Sequence, residues 1–87
     1  MQGDDPIVTS AIVNRVKRAQ GQLAGVLRMI EEGRELEDVV TQIKAVSKAL
    51  DRAGFALIAV ELRRCAHDGA VSDEDLARLE RFFLSLA

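Results

Sequence analysis

Cysteine occurs once in this 87-residue chain, at Cys65, so no intrachain disulfide can form and a reducing cytoplasm is the expected setting. Proline also occurs once, at Pro6, which leaves every later stretch free to be helical. Tyr and Trp are absent and Phe occurs three times. Core packing therefore falls to aliphatic side chains, and an aromatic platform for stacking bases has little to be made from. No apolar run approaches the ~20 residues that span a bilayer, and the opening MQGDDP is acidic and lacks a signal-peptide core. A single cytoplasmic domain over residues 1–87, without a membrane partner, is expected. No nucleophile–base pair, phosphate-cradling Gly loop or ligand cluster stands out, so neither an enzyme nor a bound cofactor is expected. The last absence says most. The segment Thr9 to Ile30 carries Arg15, Lys17, Arg18 and Arg28 and no acidic residue, in a chain with 14 acidic against 12 basic residues. A cationic island in a mildly anionic protein marks a surface built to meet an anion, with nucleic acid the leading candidate.

What is present reads as three helices and no strand. Asp5-Pro6 offers an N-cap with Pro at the first helical position. Ile12, Val16, Ala19, Leu23, Val26 and Ile30 then recur at alternating spacings of four and three, and Gly33 is a natural stop. Gly21 and Gly25 each weaken that helix by about 1 kcal/mol relative to Ala, and their shared face permits close backbone approach. A second helix runs from about Leu36 to Asp68, ending at Gly69, on the period of Leu36, Val40, Ile43, Val46, Leu50, Ala53, Leu57 and Val60. Ser72 caps a short third helix, with Asp73, Glu74 and Asp75 in its first turn. Leu76, Leu79, Phe82, Phe83 and Leu86 form its apolar side.

The second helix is too long to live alone. About 33 residues at ~1.5 Å each span about 50 Å, whereas a compact chain of this size has a radius of gyration near 12 Å by scaling, about a quarter of that length. One partner helix and one short helix cannot cover such a rod, and a large exposed apolar stripe is unusual in a monomer. The economical solution is an antiparallel homodimer in which two first and two second helices form a four-helix bundle. A lone helical hairpin is the alternative.

The basic residues fall in two rows. Arg15, Lys17 and Arg18 are neighbours on the first helix, while Lys44, Lys48 and Arg52 stand at i, i+4 and i+8 on the second. Gln22 and Gln42 add neutral donors nearby. If the hairpin brings the rows together, a cationic stripe results, and phosphate contacts from it would carry a steep salt dependence. No winged-helix, zinc-finger or helix-turn-helix pattern is evident, so DNA would be read through backbone contacts and shape. A helical module whose basic face meets an acidic protein partner is the competing reading.

The run RVKRAQGQLAG at Arg15 to Gly25, M-I-E-E at Met29 to Glu32, D-V-V-T-Q at Asp38 to Gln42, and the spacing to Cys65 together resemble the copper-sensing repressor family (CsoR/RcnR/FrmR) over nearly the whole chain. The resemblance implies an all-helical homodimer, usually a dimer of dimers, that binds operator DNA and releases it when a metal ion or reactive small molecule is sensed. It places Arg15, Lys17, Arg18 and Arg52 on the DNA-contacting surface; Lys44 and Lys48 join them from the charge row alone.

The same resemblance puts a sensor at positions that here hold Leu36, Glu61 and Cys65. Copper-sensing members carry Cys, His and Cys there. The three positions lie within roughly 40° on one helical face, yet 36 and 61 are about 37 Å apart along the axis, so they can meet only across an antiparallel dimer. Leu36 has no donor, and Glu61 is a hard oxygen where copper(I) prefers nitrogen or sulfur. Glu61 beside Cys65 should also disfavour the thiolate. These replacements argue against copper, nickel, formaldehyde and two-thiol sensing, and no metal ligand is expected. A single-thiol route through Cys65, by mixed disulfide or persulfide, is the remaining sensing chemistry; an inert packed thiol is the simpler reading. His67 reads as a cation near a helix C-terminus, Glu80 and the acidic group Glu31, Glu32, Glu35, Glu37 and Asp38 as solvated, and Phe55, Phe82 and Phe83 as packing residues.

Overall fold

The computed structural model describes residues 6–87. Three helices account for most of them: α1, Pro6–Glu31; α2, Leu36–His67; α3, Asp73–Leu86. No strand occurs among the described residues. The all-α expectation holds, and the expected cap at Asp5 lies outside the described residues.

Local chemistry sets the boundaries. Gly33 adopts φ 71°, a left-handed conformation that suits glycine, and closes α1. Its N–H donates to the Ile30 carbonyl at 3.1 Å while that of Arg34 reaches back to Met29 at 2.9 Å, the paired bonds that satisfy the last carbonyls of a helix. Glu37 and Asp38 occupy the first turn of α2, where the helix dipole favours carboxylates, and Arg64 and His67 its last turn. Ser72 caps α3: its Oγ accepts from the Asp75 N–H at 3.0 Å.

The helices pack by heptads. On α1 the buried residues are Ile12, Ala19 and Val26; on α2 they are Val39, Val46, Ala53 and Val60, with Cys65 buried further along the helix. Val26, Val39 and Val46 cluster, with Met29 against them, so the hairpin closes next to its turn and runs antiparallel. Each buried Val contributes roughly 2 kcal/mol. The wider stripes read from the sequence are only half covered. Val16, Leu23 and Ile30 of α1, and Leu36, Val40, Ile43, Leu50 and Leu57 of α2, remain exposed. One partner helix covers a narrow seam, and the rest of each apolar face has nothing against it. Val39, one position before the expected Val40, takes the seam instead.

α3 folds back antiparallel along the C-terminal half of α2. Leu86 meets Gly54, Phe83 packs on Phe55 with ring centroids 5.1 Å apart, and Arg78 reaches Glu61 at 3.4 Å. Only Leu79 of its expected apolar side is buried; Leu76, Phe82 and Phe83 are about half exposed. The close approach expected at Gly21 and Gly25 is absent among the described residues. A Cβ at Gly21 would meet nothing within 4 Å, and one at Gly25 only the tip of Arg28. Gly54 holds the tight contact instead.

Among the described residues, α1 and α3 do not touch. The three helices therefore form one sheet-like layer, 53 × 26 × 12 Å, with a radius of gyration of 16.5 Å. The long dimension matches the ~50 Å rod expected of α2, and the short one is about a single helix diameter.

Candidate sensor position and basic surface

The six basic residues singled out from the sequence, Arg15, Lys17, Arg18, Lys44, Lys48 and Arg52, are all exposed. None forms an ion pair among the described residues. Lys44 and Lys48 flank a shallow hollow on α2 together with Thr41, Ala45 and Ser47. The Thr41 hydroxyl donates to the Glu37 carbonyl at 2.9 Å, so its lone pairs are what it offers outward. Heptad arithmetic places the Lys44–Lys48–Arg52 row on the side of α2 away from the Val39–Val46–Ala53 seam. Of the two neutral donors noted nearby, Gln22 is half-buried, and its Oε1 is shielded without a hydrogen-bond partner.

The three residues that the resemblance assigns to a sensor differ sharply from one another. Leu36 opens α2 at 77% exposure. Cys65 is a free thiol, buried at 9%. Glu61 is 19% exposed at its side chain and fully engaged. The Arg64 Nε–H donates toward both Glu61 oxygens at 3.2 Å, and Nη2 donates to Oε1 as well. Arg78 Nη2, arriving from α3, donates to the same Oε1 at 3.4 Å. Arg64 also donates from Nη1 to Asp68 at 3.2 Å, and Arg78 lies 3.9 Å from the Asp75 carboxylate. Hydrogen bonds from Arg64 are the main reason that the Glu61 carboxyl is held down to about 2, against the opposing effect of burial; the Arg64 charge and the Arg78 hydrogen bond add to the lowering. Glu61 in turn pushes the Arg64 guanidinium up.

Sequence reasoning treated Glu61 as a lone negative charge beside Cys65. In the folded chain two guanidinium groups neutralise it, and Arg64 Nη2 is the group that faces the sulfur, at 3.9 Å. Both arginines were missed. The spacing of Glu61 and Arg64, three apart on one helix, was a usable signal; Arg78 became a partner only through the return of α3. Glu80 is exposed, His67 is the last residue of α2, and Arg78 stacks 6.0 Å from the Phe82 ring centroid.

This donor set does not fit copper(I). Leu36 offers no ligand atom, the Glu61 oxygens are taken, and a single buried sulfur remains. Among the described residues no group of three or more His, Cys, Asp and Glu side chains is arranged to hold a metal ion. No described helix is long and apolar enough to cross a membrane.

Residues 9–85 match the family model of the metal-sensitive transcriptional repressors. The chain belongs to this family. Among its relatives, the copper-sensing transcriptional repressor RicR of Mycobacterium tuberculosis is 40% identical over 68 residues, covering 72% of this chain and 71% of its own length. The copper-sensing repressor CsoR of the same organism is 33% identical over 70 residues, or 80% of this chain and 59% of its own length. CsoR of Bacillus subtilis is 33% identical over 63 residues, 72% of this chain and 62% of its own length. The chain thus spans less than two thirds of either CsoR protein. No solved structure matches it significantly. As a member of the metal-sensitive repressors, the chain has an all-helical fold consistent with that family.

Proposed function

We propose that this protein is a homo-oligomeric repressor that grips operator DNA through Arg15, Lys17, Arg18, Lys44, Lys48 and Arg52, and whose Leu36, Glu61 and Cys65 positions do not bind copper. The observation that carries the reading is that these six cations are exposed and form no ion pair among the described residues, in a chain of the metal-sensitive repressor family. An exposed cation with no acidic partner is available to displace counterions from phosphate.

Oligomerisation is supported by the single-layer shape. A domain needs a second layer against its apolar face, and no large side chain in this layer is fully buried. Val16, Leu23 and Ile30 on α1, with Leu36, Ile43, Leu50 and Leu57 on α2, repeat every seventh residue on that face. A second copy, packed antiparallel, completes a four-helix bundle, and pairing of dimers into a tetramer follows the family pattern. Against a one-thiol sensor stands the burial of Cys65, since reactive cysteines are at least partly exposed.

The test is a band-shift titration against DNA upstream of the chain's own gene, at two salt concentrations. Binding should weaken steeply with salt and with Arg15→Ala or Arg52→Ala. Absence of binding at low salt would leave a helical module that meets an acidic protein partner.

A further inference from the structure

We propose that Arg64 and Arg78 take, as cations built into the chain, the place that the family resemblance gives to a sensed metal ion, and that they latch α3 onto α2 without any ligand. This rests on reading Leu36, Glu61 and Cys65 as a sensor position without its ligands; it does not depend on DNA binding.

The geometry points there from three sides. The Glu61 carboxylate accepts from Arg64 on its own helix and from Arg78 on α3. Among the described residues, the Arg78–Glu61 contact is the one ion pair that joins α3 to α2. Arg64 also holds Nη2 3.9 Å from the Cys65 sulfur, so a metal ion reaching that sulfur would stand beside a guanidinium group. Arginine does not lose its proton at any ordinary pH, so it cannot step aside by neutralising. A metal would have to break the fork between Arg64 and Glu61 and then tolerate the displaced charge. Asp68 and Asp75 complete the cluster by anchoring the two arginines from their outer sides. The result is a closed set of two cations and three carboxylates at the α2–α3 junction. Here the chain supplies its own cations, and the α2–α3 junction is closed without a ligand.

Two measurements test this. The first is amide hydrogen exchange of the full chain at low salt. Glu61→Gln and Arg78→Ala should each speed exchange in α3 by about two- to fivefold and leave the Val26–Val39–Val46 end of the hairpin unchanged, and Arg78→Lys should restore part of the protection. Unchanged α3 exchange in both variants would overturn the latch. The second is copper(I) titration against a competing chelator. Wild-type protein should take no stoichiometric copper. In a Leu36→Cys/Glu61→His background, adding Arg64→Ala should tighten copper(I) binding at least tenfold, because the tethered cation is gone. Stoichiometric copper uptake by the wild type, or equal affinity with and without Arg64, would overturn the built-in cation.

Discussion

Leu86, in the last turn of α3, lies so close to Gly54 in the middle of α2 that a Cβ built on Gly54 would stand 2.6 Å from the Leu86 Cδ1. Glycine inside a helix costs about 1 kcal/mol relative to Ala, and this contact is what the chain obtains in return. Gly54→Ala should therefore be close to neutral, because the gain in helix propensity is offset by displacing Leu86. In a Leu86→Ala background the obstacle is gone, and Gly54→Ala should stabilise by about 1 kcal/mol. Denaturant unfolding of the four proteins at one concentration measures the cycle. An identical effect of Gly54→Ala in both backgrounds would show that the two residues do not press on each other.

Glu61 gives the junction a definite acid response. Its carboxyl is lowered from 4.5 to about 2, first by the Arg64 hydrogen bonds, so its contribution is fully present above about 4.5 and is lost as pH falls toward 2. Glu61→Gln removes that contribution. The stability gap between wild type and variant should be widest above pH ~5 and close as pH falls toward 2, following the shifted carboxyl. Its size should not exceed about 1 kcal/mol, because the Arg64 and Arg78 side chains are 36% and 38% exposed and screened by water. Urea unfolding across this range provides the check; a gap that stays constant with pH would assign the loss to something other than this charge.

The parts of the fold that depend on near neighbours in the chain are legible in the sequence. Gly33 as the stop of α1, Ser72 as the cap of α3 and the length of α2 are local properties of backbone and capping chemistry. The stripes were legible only as faces. Periodicity marks Val16 and Ile12 alike as apolar, and nothing in the spacing says that a single partner helix covers one and leaves the other bare. At the position that the resemblance gives to a sensor, Leu36 and Glu61 themselves are plain in the sequence. The partners of Glu61 are not. Arg78 meets Glu61 across 17 positions of chain, and that meeting depends on the angle at which α3 returns after Gly69. Gly21, Gly25 and Gly54 look alike on paper; only the return of α3 gives Gly54 a neighbour.

Leu50 offers a clean test of assembly. It is 47% exposed in the single chain, in a heptad column with Leu36, Ile43 and Leu57. In a monomer, Leu50→Asp replaces a half-solvated side chain at modest cost. In the antiparallel bundle proposed above, position 50 lies near the crossing of the two α2 helices, and a carboxylate there is buried against its own copy. Sedimentation equilibrium should show the mass of Leu50→Asp falling to that of one chain, while Arg52→Ala keeps the wild-type mass. If Leu50→Asp retains the oligomer, the uncovered heptad face is not the contact.

Gly21 separates stability from binding within the basic island. A Cβ there meets nothing in the folded chain, so Gly21→Ala should stabilise α1 by about 1 kcal/mol and raise Tm by about 4–8 °C. A helix that keeps glycine at an open position, three residues after Arg18 and beside Gln22, leaves room for a partner outside its own fold. With DNA as that partner, the added methyl stands between the helix backbone and the phosphates that Arg15 and Arg18 contact. The variant should then be more stable and bind DNA several-fold more weakly, at every salt concentration and without a change in the salt slope, because no charge has been removed. Thermal unfolding and band-shift titration on the same preparation read the two effects separately. Higher Tm with undiminished affinity would place the DNA away from the Gly21 face of α1.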